Sequence, residues 1–335
     1  METMATYSVY DKVDFRTLDI WHLDKTGGRY YDTASDGYEL DFNDGTAILV
    51  QGHDLTYATN GSPTSGTTTA LDYADGAGLY STLRDIDITV AHEQKFFDHN
   101  STQYVLKDIF SGADTITGSR YSDYIDGFTG ADTMKGGDGN DVYIVDNIGD
   151  RVIERSLEGV DLVKASVSFS MAGQFIENLT LTGTAAINGS GNTGDNVIVG
   201  NSAENTLKGG AGNDTLIGGR GQDVLLGGTG DDTFVFRSIK DSAPGVEHRD
   251  TISDFTIGAD QIDLHVIQAV TGAGTDRAFS FIGDAAFTKQ AGQLHVVHSG
   301  SATIVEGDTT GDGKADFQIA LKNVVDALHA SDFIL

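Results

Sequence analysis

The sequence predicts an all-β protein: a right-handed parallel β-solenoid flanked by an N-terminal, mostly antiparallel β-domain and a β-rich C-terminal region. Three observations predict it. Residues 209–236, "GGAGNDTLIGGRGQDVLLGGTGDDTFVF", are three copies of one nine-residue unit, each opening on two glycines. The unit keeps two registers, with Asp or Asn at its sixth position and an apolar residue at its eighth. Finally, 43 glycines accompany only 2 prolines, which excludes collagen, argues against a generic linker and leaves backbone geometry as the use of glycine.

Residues 1–105 carry the runs "YELDF", "TAILVQG", "DLTYATNG", "GTTTALDY" and "IDITVAH", separated by Gly, Asp and Asn turns. Such alternation reads as an antiparallel β-domain. His92-Glu93 starts a zinc-protease motif, but the next histidine is His99, so H-E-x-x-H is not met. Neither a G-x-S-x-G elbow nor a phosphate loop is found. The stretch "GHDLTYATNG", followed by "GLYSTLRDIDI", resembles the haem-ligand strand of secreted bacterial haemophores. That resemblance implies Tyr57 as an iron ligand. The family's histidine beyond the tyrosine has no counterpart, and His53 would lie roughly 13 Å away along a regular strand.

Residues 106–146 hold a first cluster of units: IFSGADTIT (109–117), GSRYSDYID, GFTGADTMK and GGDGNDVYI (136–144). Residues 147–190 contain short β-rich runs with Gly and Asn, which predict that the solenoid continues in longer coils without a metal code. Residues 191–240 hold the second cluster: GNTGDNVIV (191–199), GNSAENTLK, GGAGNDTLI, GGRGQDVLL and GGTGDDTFV (227–235). The sixth positions are Asp114, Asp123, Asp132, Asp141, Asn196, Asn205, Asp214, Asp223 and Asp232. The eighth are Ile116, Ile125, Met134, Tyr143, Ile198, Leu207, Leu216, Leu225 and Phe234. A glycine-rich half can turn tightly, and the following triplet can make a short strand with its apolar residue inward. Neither half is stable alone. With two units per coil, residues 18 apart stack, placing Asp214 over Asp232, Asp114 over Asp132 and Asp123 over Asp141.

Charge then becomes decisive. The chain has 50 acidic against 21 basic residues, a net charge of −29, which repels nucleic acid and anionic membrane surfaces. Two stacked carboxylates about 4.8 Å apart repel by roughly 1 kcal/mol in water and 3–4 kcal/mol at an effective dielectric of 20. A cation between them removes that penalty. Calcium takes six to eight oxygens at about 2.3–2.6 Å and so spans such a pair, whereas magnesium requires a tighter octahedron. With no cysteine and no clustered histidine, zinc is excluded, as are disulfides.

The pattern G-G-x-G-x-D-x-U-x resembles the calcium-binding nonapeptide of the RTX (hemolysin-type) proteins, which form a parallel β-roll. The resemblance implies Ca2+ bound between units i and i+2, held by backbone carbonyls and aspartates of both turns. For the best-matching pair the implied set is Gly209, Ala211 and Asp214 with Gly228, Gly230 and Asp232. Asn196 and Asn205 offer only neutral ligands, so their sites are expected to be weak or empty.

Residues 241–335, from "DTISDFTIGADQIDL" to "ASDFIL", resemble the C-terminal region that follows the roll in serralysins. That likeness implies type I export read from Asp332, Phe333, Ile334 and Leu335, with the solenoid well upstream of these residues. The start "METMATYSVYDKVDF" shows no signal peptide, and no apolar run approaches transmembrane length. Within the region, "GDTTGDGKADF" places Asp308, Asp312 and Asp316 as in an EF-hand-like loop, with Ile319 where glutamate would stand. The reading is a secreted calcium-binding RTX protein, non-enzymatic, whose partners are calcium, an exporter and an extracellular polysaccharide or host surface. The alternatives are a haemophore-like haem-binding N-terminal domain, or a hydrolase with an unrecognised site in residues 1–105.

Overall fold

The computed structural model describes residues 112–117, 122–270 and 278–335 in full, with the backbone of six strands between residues 6 and 89. The chain divides into two compact units, Met1–Val163 and Lys164–Leu335.

In the first unit, Arg29–Ala34, Gly37–Asp41, Ala47–Tyr57, Pro63–Asp75 and Gly78–Thr89 pair antiparallel in chain order. Thr6–Val9 lies antiparallel to the last of these and parallel to Thr115–Thr117. The antiparallel sheet therefore runs directly into the first solenoid strand. Thr115–Thr117, Thr133–Lys135 and Arg151–Ile153 then stack in parallel, Ile116 opposite Met134 and Met134 opposite Val152. A second sheet pairs Tyr124–Asp126 with Val142–Val145, Ile125 opposite Tyr143. Partners in both sheets differ by 18 residues, so two nonapeptides make one coil.

The second unit repeats this plan. One parallel sheet contains Asn178–Leu181, Val197–Val199, Thr215–Ile217, Thr233–Val235 and Gln261–Asp263. The other contains Gly189–Ser190, Thr206–Ala211, Val224–Thr229 and Asp250–Ile252. It continues through Phe317–Lys322 into an antiparallel meander with Ala302–Asp308 and Gln293–Ser299.

All nine eighth-position side chains are at most 1% exposed. Together they fill the two cores at close to one side chain per turn, which is why so short a strand holds its register. The turns need glycine for two separate reasons. Gly210 and Gly228 hold φ of +122° and +108°, a region that L side chains adopt only under strain. Gly209 and Gly227 lack that excuse, but a Cβ on either would collide with the carboxylate of Asp214 or Asp232.

Two expectations are corrected. Phe333–Ile334 is a solenoid strand, pairing with Gln261–Asp263, and the Leu264 N–H donates to the Ile334 carbonyl at 2.8 Å. Phe333 is 6% exposed and Asp332 1%, so the end residues do not stand apart from the roll. An apolar pair after a carboxylate is itself the pattern of a coil strand. Secondly, residues 147–190 retain acidic rungs, as described next.

Candidate metal ladders

Each sixth-position residue immediately precedes a strand, where its own N–H points to the coil stacked beside it. In the first unit, Asp132 Oδ1 accepts the Asp114 N–H at 2.8 Å. Asp141 Oδ1 likewise accepts the Asp123 N–H at 2.7 Å. In the second unit the Asp214 N–H donates to Asp232 Oδ1 at 2.9 Å. The 18-residue stacking of aspartates is thus present for all three expected pairs.

The ladders extend past the repeats. The Asp132 N–H donates to Asp150 Oδ1 at 3.0 Å and the Asp141 N–H to Asp161 Oδ1 at 2.8 Å. The Asp223 N–H reaches Asp250 Oδ1 at 2.8 Å and the Asp232 N–H reaches Asp260 Oδ1 at 3.0 Å. Sequence reasoning missed these four aspartates because Asp150, though at the regular spacing of 18, lies in a turn without the repeat's glycines, and longer turns shift the other three to 20, 27 and 28 residues. The signal was nonetheless there: each begins an Asp-x-apolar triplet, "DRV", "DLV", "DTI" and "DQI".

One oxygen of each carboxylate is therefore used inside the protein, and the other is the informative one. Oδ2 of Asp132, Asp141, Asp214, Asp223, Asp232 and Asp250 is buried without a hydrogen-bond partner. An unsatisfied buried carboxylate oxygen costs on the order of several kcal/mol. Five of these oxygens, those of Asp132, Asp141, Asp214, Asp223 and Asp232, face the space left open by the first glycine of the turn: Gly127, Gly136, Gly209, Gly218 and Gly227 each lack room for a Cβ because an Asp Oδ2 occupies it. Chemically, the result is a line of hard oxygen donors that no N–H group among the described residues reaches. That donor set fits calcium.

The electrostatics agree. Burial, with the carboxylates of Asp150, Asp114 and Asp146 adding to it, pushes Asp132 up to about 7. Burial likewise raises Asp141 and Asp223 to about 7, Asp214 to about 6 and Asp250 to about 9, each against the opposing effect of the ladder N–H. Without a cation beside them, burial shifts each of these groups toward its protonated form.

Asn196 and Asn205 occupy the same rungs with a different solution. Their Oδ1 atoms accept the N–H of Asn192 and Asn201 at 2.8 and 2.9 Å. Their amide nitrogens donate to the Ile176 carbonyl at 3.0 Å and to the Ile187 carbonyl at 2.6 Å. An NH2 group does here what a cation would do elsewhere.

The remaining expected residues are placed as follows. In the Asp308 loop, Oδ1 accepts the Gly311 N–H at 2.6 Å and Oδ2 the Gly313 N–H at 2.9 Å. Asp316 Oδ2 accepts the N–H groups of Thr309 and Thr310 at 2.7 and 3.0 Å, and Asp312 Oδ1 that of Lys314 at 2.8 Å. These carboxylates are engaged in closing a turn. Gly209, Ala211, Gly228 and Gly230 lie on stacked turns, Gly210 opposite Gly228 and Ala211 opposite Thr229. The side chains of Tyr57, His92 and Glu93 lie outside the described residues. Among the described residues no helix is long and apolar enough to cross a membrane.

Parallel coils and a buried carboxylate ladder define a calcium-binding β-roll protein. Residues 108–143 match the RTX calcium-binding nonapeptide repeat, in four copies, and these repeats bind Ca2+. Residues 156–335, more than half of the chain, match the peptidase M10 serralysin C-terminal family, and the chain belongs to that family. A stretch of 68 residues is 40% identical to the endo-1,3-1,4-beta-glycanase ExsH of Rhizobium meliloti (strain 1021), covering 20% of this chain and 14% of that protein. Among solved structures, the AlgE6R3 subunit of the Azotobacter vinelandii mannuronan C5-epimerase is 28% identical, covering 46% of this chain and 80% of that one, with a TM-score of 0.33. The AlgE6R2 subunit is 26% identical over 50% of this chain and 91% of that one, with a TM-score of 0.31.

Proposed function

We propose that the protein is exported unfolded by a type I system that reads residues 241–335, and that calcium met outside the cell drives it to fold. There it acts as a non-enzymatic extracellular or cell-surface interaction protein. The observation that carries this reading is the row of buried, partnerless Asp Oδ2 atoms. Asp114 with Asp132, Asp123 with Asp141, and Asp214 with Asp232 are the residues that would hold the ions. Asp223 would pair with Asp250, and the turn carbonyls of Gly209, Ala211, Gly228 and Gly230 would complete the coordination of the best-matching site. When bound, the ion supplies the positive charge that lets stacked carboxylates remain ionised in a buried place.

Magnitudes support a compartment switch. At millimolar calcium a site with a dissociation constant of about 10⁻⁴ M contributes about 1.4 kcal/mol, so four independent sites give roughly 5–6 kcal/mol. A domain's whole net stability is about 5–15 kcal/mol. In a calcium-poor cytosol the acidic chain stays loose enough to thread an exporter. An extracellular polysaccharide is the partner we favour, because the matched relative is by name a glycanase.

The experiment is a fusion of residues 241–335 to a slow-folding passenger, in cells carrying a matching exporter. The fusion should reach the medium, and the protein lacking those residues should stay inside. Secretion of the shortened protein at normal yield would overturn the export reading.

A further inference from the structure

We infer that Asp141, Glu154 and Asp161 form a further calcium site, in which Glu154 supplies a carboxylate where the repeat has a glycine. The inference rests on the calcium reading of the roll and adds Glu154, to which the repeat pattern gives no role.

Two departures from the repeat meet at this point. After the strand Arg151–Ile153, the first position of the turn is Glu154 instead of glycine, and the turn is two residues longer before Asp161. Elsewhere the missing side chain at that position leaves room for an aspartate oxygen. Here the acidic side chain of Glu154 stands at the corresponding position and is 3% exposed. The second departure is Tyr143, the one eighth-position residue with a polar group. It is fully buried, and a buried hydroxyl requires a partner. The Tyr143 hydroxyl donates to Glu154 Oε1, which fixes the direction of the Glu154 carboxylate.

The geometry suits a cation. One oxygen from each of Asp141, Glu154 and Asp161 lies within 4.8 Å of the others, and all three residues are buried. Oxygens on opposite sides of a calcium ion are about 4.6–5.2 Å apart. Asp141 Oδ2 is buried and has no hydrogen-bond partner. It is aimed into the cluster: a Cβ on Gly136 would collide with both Asp141 Oδ2 and the Tyr143 hydroxyl, so these two atoms and the Glu154 carboxylate share one space. Asp141 Oδ1 meanwhile holds the ladder N–H of Asp123, and Asp161 Oδ1 that of Asp141.

Three carboxylates instead of two give this site the highest ligand charge of the roll's described sites, and calcium affinity in such loops rises with ligand charge. The site therefore fills first and accepts a trivalent lanthanide readily. The neighbouring phenol makes it observable, since a tyrosine in contact with a ligand of terbium sensitises terbium emission.

The test uses the full chain, stripped of metal and titrated separately with calcium and with terbium. Glu154→Gln keeps the shape and the oxygen that accepts from Tyr143 while removing one charge. It should weaken the tightest ion by about tenfold or more and leave the other ions unchanged. Asp214→Asn, in the other unit, should leave the tightest ion alone. Tyr143→Phe removes no ligand and should lower the tyrosine-sensitised emission of the first terbium bound, which keeps the test open if Glu154→Gln folds poorly. Unchanged affinity for the first ion in Glu154→Gln, together with unchanged emission in Tyr143→Phe, would overturn the inference while leaving the repeat sites intact. A wild-type chain that takes up no calcium would overturn the reading on which it rests.

Discussion

Asp232 holds Asp214 by one oxygen and leaves the other bare: its Oδ1 accepts the Asp214 N–H at 2.9 Å, and its Oδ2 is buried with no partner. The same carboxylate is thus a structural bracket between coils and half of an ion site. Substitutions that separate the two roles follow directly.

Asp214→Asn and Asp232→Asn each keep an oxygen for the ladder and remove a charge. Each should weaken one shared ion by about tenfold or more, and the double variant should be little worse than either single one. Calorimetric calcium titrations of the three variants check this. Effects that simply add would mean that the two residues serve different ions.

Asn196→Asp should act in the opposite sense. The Asn196 amide nitrogen donates to the Ile176 carbonyl at 3.0 Å, and a carboxylate there would face that carbonyl with no hydrogen to offer. In chelator the variant should lose about 1–3 kcal/mol of stability, and part of the loss should return on adding calcium. Urea denaturation with and without calcium measures both changes.

The pH dependence of the metal-free protein has a definite sign. Asp132, Asp141 and Asp223 rise from 3.8 to about 7 on folding, chiefly through burial. A raised folded value means that the associated stability is fully present below the unfolded value and is lost as pH climbs through the folded one. In chelator, the midpoint of urea unfolding should therefore be higher at pH 5 than at pH 8. With saturating calcium the trend should flatten or reverse, because protons and ions compete for the same oxygens.

Removing Asp332–Leu335 should weaken the roll as well as export. These residues supply the strand beside Gln261–Asp263, which itself pairs with Thr233–Val235 behind Asp232. The truncated protein should need more calcium to fold, read as a shifted midpoint in circular dichroism. An unchanged midpoint would show that the last strand is dispensable.

The sequence displayed the coil itself, because a spacing of nine with fixed aspartate and apolar positions admits few other packings. It concealed what depends on chain length between coils. Asp250 and Asp260 are ladder residues in space, but spacings of 27 and 28 residues break the count that identified Asp214 and Asp232. Phe333–Ile334 was hidden for the same reason, its partner strand lying far back in the chain. Tyr143 was legible as a core residue by position, while its hydroxyl acquired meaning only beside Glu154. Asn196 and Asn205 read from sequence only as neutral ligands; their carbonyl partners, Ile176 and Ile187, could not be read from spacing.

On the proposed reading calcium, and not the chain alone, holds the ladders together. Amide hydrogen exchange of the full chain, followed by mass spectrometry in chelator, in millimolar magnesium and in millimolar calcium, tests it most directly. Strong protection of segments 122–165 and 206–235 is expected in calcium alone, with rapid exchange in the other two conditions. Equal protection of those segments in chelator and in calcium would contradict it.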